Sequence, residues 1–364
     1  MKILIPYDID TTGNRNPYLF LLLRALSAHK DVERVDHGFG FLHEPTGHWD
    51  IIHLHWPEQL VRPFLETYWS DATVTDTHIK KVTDALSRHK ASGSKILMTI
   101  HNEAPHKDPS GGGKRLYEEV WRQADGFHHL GEASRAQLTS TLPDRPSVVI
   151  PHGDYRWFPD EQSREEARKA LDMSPETTLI LAFGAIRNQA ELNLGLKAHR
   201  QAKQPGSLYL MAGSVPYPYR VKRQHWNTRR LLFREQWAGR ARTVERSIRA
   251  GEVQSFLNAA DLLFLPRIDA LNSGNVPLGF TFGRVVVGPN IGVIGEMLRE
   301  TGNPTFDPRQ PESAAGAIRE GLRLARNGHG ETNRAWSREH LNWEVIADRT
   351  VHAFHALHRD ERMF

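Results

Sequence analysis

The chain has 364 residues, 39% of them apolar and 25% charged, no cysteine, and a formal net charge of +4 from 47 Lys and Arg against 43 Asp and Glu. That length exceeds what one hydrophobic core usually serves and predicts two domains of roughly 150–200 residues, with an ordinary globular balance of residue types. Disulfides, thiolate metal sites and cysteine nucleophiles are excluded, no window approaches the ~20 uninterrupted apolar residues of a membrane span, and an anionic partner has to be met by a local cluster rather than by the weak overall field.

Ile3-Leu4-Ile5, closed by Pro6, is too short for a signal-peptide core and reads as a first strand. With no cysteine, a cytoplasmic location is the expectation. Short β-branched runs then alternate with longer amphipathic stretches, the pattern of βαβ units on a parallel sheet, and the pattern occurs twice. Strands are expected at Lys2–Pro6, Asp50–Leu54, Lys95–Ile100, Gly126–Leu130 and Ser147–Pro151, then at Thr178–Phe183, Ser207–Ala212, Leu262–Pro266, Val285–Gly288 and Pro304–Phe306. The fold class is therefore α/β with two Rossmann-like domains, residues 1–160 and 161–342. In such sheets ligands bind beyond the carboxyl ends of the strands.

The loops at those ends hold the unusual residues. After the first strand, Gly13, Asn14 and Asn16 precede Pro17, a well-capped helix start or a loop facing the acceptor. His53-Leu54-His55-Trp56-Pro57-Glu58 ends the next strand, with His53 and His55 on one face. No recognisable third ligand accompanies them, so no metal is expected. Glu58 is the expected general base, since burial raises a carboxyl towards a working pKa; the plain alternative is an exposed Glu opening a helix. His101-Asn102-Glu103-Ala104-Pro105-His106 follows the Lys95–Ile100 strand; His101 is expected to bond a sugar hydroxyl or manage a proton, with Glu103 or Asp108 as reserve bases. His128 and His129 are less persuasive, because the first falls within a strand. His152, Gly153 and Tyr155 close the first domain, where Gly153 suits a tight turn and a hinge is as good a reading as substrate contact.

In the second half, Gly184 and Arg187 follow the Thr178–Phe183 strand, where a glycine turn and a phosphate-directed cation belong, and Gly213 ends the strand after it. Asn272-Ser273-Gly274 precedes a small-residue helix whose free amides suit a diphosphate, although Asn-Ser-Gly is also an ordinary cap. Tyr217–Arg249 carries ten Arg or Lys against two Glu, interleaved with Trp226, Phe233 and Trp237. No nucleic-acid-binding pattern accompanies it. An amphipathic helix resting on anionic headgroups fits that mixture, as does a solvated helical face.

The blocks Asn16-Pro17-Tyr18-Leu19, Asp50 to Glu58, His101 to His106, His152 to Phe158, Phe183 to Arg187 and Asn272 to Gly274 resemble, in order, bacterial exopolysaccharide glycosyltransferases of the GT-B fold, and within them the β-mannosyltransferases of xanthan assembly. The resemblance covers about residues 14–296. It implies parallel-sheet domains facing across a cleft, with acceptor contacts from Gly13, Asn16, His53, His55, Trp56, His106, His152 and Tyr155 in the first, and a final helix near Trp343–Leu357 returning to it. It further implies inverting, metal-independent transfer of mannose from GDP-mannose to a saccharide or lipid-linked saccharide at the inner membrane face. Glu58, His101 and Glu103 would be catalytic, and Gly184, Arg187, Gly213, Asn272, Ser273, Gly274 and Glu296 would hold the donor. Gly292 to Glu296 also resembles the stretch after the donor site in retaining GT4 enzymes.

Two departures stand out. The lysine expected shortly after Arg187 is replaced by Asn188-Gln189-Ala190-Glu191, which leaves one diphosphate cation unaccounted for. The glutamate pair of retaining relatives is absent from Pro277 to Gly283, which weighs against retention and leaves ribose recognition unassigned. A retaining transferase or UDP-sugar epimerase, and a catalytically silent sugar-nucleotide-binding scaffold, stand as the alternatives.

Overall fold

The structure is a computed structural model that describes residues 1–364 except 11–15, 45–46, 66–72, 106–107, 109, 216–225, 362 and 364. Gly13 and His106 thus lie outside the described residues, as does the start of the basic segment. The chain divides into two compact units, Met1–Gly153 with Trp343–Phe364, and Asp154–Asn342. The division falls earlier than residue 160 because Asp154 N donates to Leu341 O (2.8 Å) and Tyr155 N to Thr281 Oγ1 (3.0 Å), which tie this stretch to the second unit.

The first unit contains a parallel sheet of β1 (Lys2–Ile5), β2 (Arg34–His37), β3 (Ile51–Leu54), β4 (Lys95–Ile100), β5 (Gly126–His129) and β6 (Ser147–Val149), in the order β2-β1-β3-β4-β5-β6. Ile3, Ile51, Ile52, Ile96 and Leu97 have no exposed surface, as near-continuous apolar runs covered on both faces should not. The helix Trp343–His358 belongs to this unit and anchors there through His29 Nε2 and Asp348 (2.8 Å) and through Arg349 Nη2 donating to Val149 O (2.7 Å).

The second unit repeats the plan with β7 (Thr178–Phe183), β8 (Ser207–Ala212), β9 (Ala241–Val244), β10 (Leu262–Phe264), β11 (Val285–Pro289) and β12 (Thr305–Phe306), ordered β12-β11-β10-β7-β8-β9. Taken from its own first strand, this is the doubly wound arrangement of nucleotide-binding sheets. The order reverses between β1 and β3 in one unit and between β7 and β10 in the other, and those reversals fix where ligand-facing loops emerge.

Candidate functional site

In the first unit, the loop after β3 is fastened by Tyr7, whose buried hydroxyl accepts from His55 N (2.8 Å) and Trp56 N (3.2 Å). His55 Nδ1 and His101 Nε2 share a hydrogen bond of 3.1 Å, and Trp56 stacks on His101 with centroids 4.1 Å apart. Tyr18 packs edge-on to His101 and tilted against His152, at 5.0 and 4.7 Å. His53, His55, Trp56, His101 and His152 thus come together.

Deeper in the sheet, the hydrogen bonds define the tautomers. Ile150 O only accepts, so His128 Nε2 carries the proton that meets it (2.8 Å). Burial lowers the His128 pKa to about 4, so the ring is neutral and its Nδ1 accepts from Thr99 Oγ1 (2.9 Å). Thr99 Oγ1 in turn accepts from His53 Nε2 (2.7 Å), which leaves the buried His53 Nδ1 as a lone pair with no partner among the described residues. Burial also pushes His53, His55 and His101 well below the usual imidazole range, reinforced by their neighbouring imidazoles. The cluster is uncharged at neutral pH and offers imidazole donors and acceptors, not cations.

Glu58 lies in the short helix Pro57–Leu60, only 8% exposed, and its Oε2 accepts from Tyr117 Oη at 2.5 Å. Burial raises its pKa, and the Tyr117 hydrogen bond partly opposes that rise. The reserve bases are placed differently. Glu103 is exposed and accepts from Gln137 Nε2, while Asp108 takes the Gly113 and Lys114 amides (3.0 and 2.8 Å) and so caps the helix Gly112–Gln123. Asn16 Oδ1 accepts from Tyr18 N (3.2 Å) at the start of the helix Tyr18–Ser27. Gly153 makes room rather than a turn: a Cβ there would lie 2.2 Å from the Trp343 indole. Tyr155, in the second unit, is buried and stacked on Phe158.

In the second unit the β7–β10 reversal presents two arginines. Glu191 Oε2 accepts from both Arg187 N (2.8 Å) and Arg267 Nη1 (2.7 Å), while Arg187 Nη1 reaches Asp269 O at 3.5 Å. Burial first, and then Arg267, lowers the Arg187 pKa to about 10. Arg267 is buried, and its Nε has no partner among the described residues. Beside them Gly184 has φ +84° and Gly213 φ +134°, and a Cβ on Gly213 would lie 2.3 Å from Gly184 O, so the two loops meet only with glycine there. Asn275 Nδ2 donates to Phe183 O (2.6 Å) and Asn275 N to Ser273 Oγ (3.3 Å). Gly274 has ordinary right-handed angles, so its conformation does not require glycine. Asn272 and Glu296 are half-buried, the latter in the helix Gly292–Glu300.

Sequence reasoning missed Tyr7, Thr99, Tyr117, Glu191 and Arg267, and undervalued His128. Arg267 had a usable signal, since it directly follows Leu262–Pro266 at the sheet reversal.

No family model matches the sequence. The chain is 28% identical over 294 residues to the GDP-mannose:glycolipid 4-beta-D-mannosyltransferase of Xanthomonas campestris pv. campestris, a match covering 76% of this chain and 70% of that protein. Its fold is similar to sucrose-phosphate synthase from Thermosynechococcus elongatus, with a TM-score of 0.71, 14% identity and 99% of each chain covered. The chain has the GT-B fold, and in sequence it is similar to a glycosyltransferase. The fold is also similar to that of Anabaena HepE solved with UDP-glucose (TM-score 0.67, 12% identity, 96% of this chain and 98% of that one). A nucleotide-sugar donor accords with the two doubly wound sheets.

Proposed function

We propose that the protein transfers mannose from GDP-mannose, with inversion, to a saccharide or lipid-linked saccharide. The observation that carries this reading is the Arg187–Arg267 pair at the second sheet's reversal: Glu191 takes Arg267 Nη1 but only the backbone amide of Arg187, so the Arg187 guanidinium, which has Glu191 and Asp269 as its acidic neighbours, forms no side-chain ion pair with either and can turn to a diphosphate. Arg267 supplies the cation that the missing lysine would have given. The choice of mannose and of GDP rests on the name of the Xanthomonas relative.

The step is one displacement. The acceptor hydroxyl gives its proton to Glu58, its oxygen bonds the anomeric carbon from the opposite face, and the bond to the diphosphate breaks with the electron pair leaving on GDP. Arg187 and Arg267, with the amides around Gly184 and Gly213, take up the developing charge, so no divalent cation is required. His55 and His101, neutral and paired, orient sugar hydroxyls.

The helix Trp226–Trp237 suits an acceptor held at a membrane. Thr228, Leu231, Leu232 and Glu235 are buried, while the outward face shows Trp226 (61% exposed), Phe233 (68%) and Trp237 (85%) among Arg229, Arg230 and Arg234. Aromatic rings and arginines on one face match an anionic interface.

The test is turnover of GDP-mannose with a lipid-linked oligosaccharide in EDTA, with the product anomer read by NMR. A β-mannoside is expected. An α-mannoside, a strict divalent-metal requirement, or turnover with UDP-sugars alone would each overturn the corresponding part of the reading.

A further inference from the structure

A second cationic feature of the Asp154–Asn342 unit lies at the opposite ends of the strands. Arg187 and Arg267 follow the carboxyl ends of β7 and β10, whereas a cavity of about 340 Å³ opens beside Thr178, Asp261 and Arg284, at the amino ends of β7, β10 and β11. Its charged lining is Arg164, Arg284 and Arg326 against Asp261 alone.

That carboxylate is already committed. Asp261 Oδ1 accepts from Arg164 Nη2 (2.5 Å), and Oδ2 from Arg168 Nη2 (2.9 Å) and Leu179 N (2.7 Å). Arg284 gives Nε to Phe282 O (2.8 Å) and Nη1 to Ala260 O (2.9 Å), which fixes its plane, and its Nη2 has no partner among the described residues. Arg326, the last residue of the helix Ser313–Arg326, is exposed and likewise has no ion-pair partner among them. The neighbouring Arg334 spends Nη1 on Asp160 (2.9 Å), and its Nε is buried without a hydrogen bond. Burial, and then the like charges of Arg334 and Arg164, hold the Arg284 guanidinium down at about 10. Asp160 and Glu331 offset that repulsion only in part, so these cations are assembled at an electrostatic cost.

Gly330, in the first turn of the helix His329–His340, also lines the cavity. A Cβ on Gly330 would sit 2.1 Å from Gly283 O, so only glycine lets that helix begin against the Gly283 turn. Its first-turn amides add partial positive charge.

We propose that this cavity binds a small phosphate monoester, a second anion site separate from the donor loops. Three guanidinium groups against one carboxylate leave a charge that a dianion balances, and planar forks suit its oxygens. A volume at the small end of ligand pockets, roughly 300–1,000 Å³, favours a soluble ester over a lipid headgroup.

The test is calorimetric titration of the full chain with glycerol 3-phosphate and with inorganic phosphate at constant ionic strength. Wild type should bind one equivalent and rise in Tm with it. Arg326→Ala, which removes a side chain without partners, should weaken binding about tenfold or more while leaving the unliganded Tm unchanged. Arg284→Met in addition should abolish binding. Arg267→Lys should bind both probes like wild type, which keeps this result independent of the donor assignment. Equal affinity in wild type and Arg326→Ala, or loss in Arg267→Lys alone, would place the anion elsewhere and overturn the proposal. Arg326-dependent sedimentation with phosphatidylglycerol vesicles, without binding of either free probe, would overturn it in favour of a headgroup.

Discussion

Glu58 and Tyr117 are 59 positions apart and joined by one short hydrogen bond, which makes the pair open to direct test. Glu58→Gln should lower kcat by about 10²–10⁴-fold with donor affinity unchanged. Because Tyr117 bonds the charged carboxylate and so lowers its pKa, Tyr117→Phe should move the acid limb of the rate profile to higher pH. A limb that stays in place would remove Glu58 as the titrating base. At the other unit, Arg267→Lys keeps a cation for Glu191 but loses the fork, so GDP affinity should fall about tenfold or more while guanosine binds as before. Equal weakening of both ligands would make Arg267 a structural counterion only. Glu58, His101 and Arg187 stood out as candidates in the sequence because each lies within four residues of the end of a recognisable strand. Tyr117, Thr99 and Glu191 did not, since helix and strand interiors hide partners that only the pairing of distant segments reveals.

Among the elements, the Trp226–Trp237 helix makes the most exposed prediction. Trp226→Ala, Phe233→Ala and Trp237→Ala together should abolish sedimentation with phosphatidylglycerol vesicles and leave Tm within about 2 °C, since surface substitutions usually change stability by under ~0.5 kcal/mol. Retained sedimentation would clear this face of a membrane role. Among the described residues no helix is long and apolar enough to cross a membrane. The ten strands expected from sequence are present within a residue or two of their bounds, because both-face burial writes itself as apolar runs. The two strands that sequence did not predict, β2 and β9, are edge strands reading Arg-Val-Asp-His and Ala-Arg-Thr-Val, partly exposed and too polar to stand out from loops.

For the molecule as a whole, the buried imidazoles set the response to acid. His128, His129 and His152 have folded pKa values of about 4 against 6.5 for the unfolded chain, and burial also holds His53, His55 and His101 well below the usual imidazole range. Between those values the unfolded state binds more protons, so the contribution is complete above pH 6.5 and is lost as pH falls towards 4. Each group adds a slope of up to about 1.4 kcal/mol per pH unit, while Glu58, with its raised pKa, acts in the opposite sense. Urea midpoints measured from pH 7 to 4 should fall steadily; a flat profile would mean the imidazoles are hydrated in the native state. The repeated strand-and-helix rhythm made two domains legible, but the chain's return after Asn342 is a long-range fact that local pattern carries only through resemblance.

That return also orders events on the ribosome. Residues 1–153 emerge before the second lobe, yet the Trp343 indole that packs on Gly153 and the Phe354 ring that meets His53 are translated only after it. At roughly 5–20 residues per second, the nascent first lobe waits many seconds for its closing helix, while the whole insert between can complete itself. Synthesis that stalls near Asn342 should therefore release a chain with a finished second lobe and an unsealed first one, a natural client for chaperones.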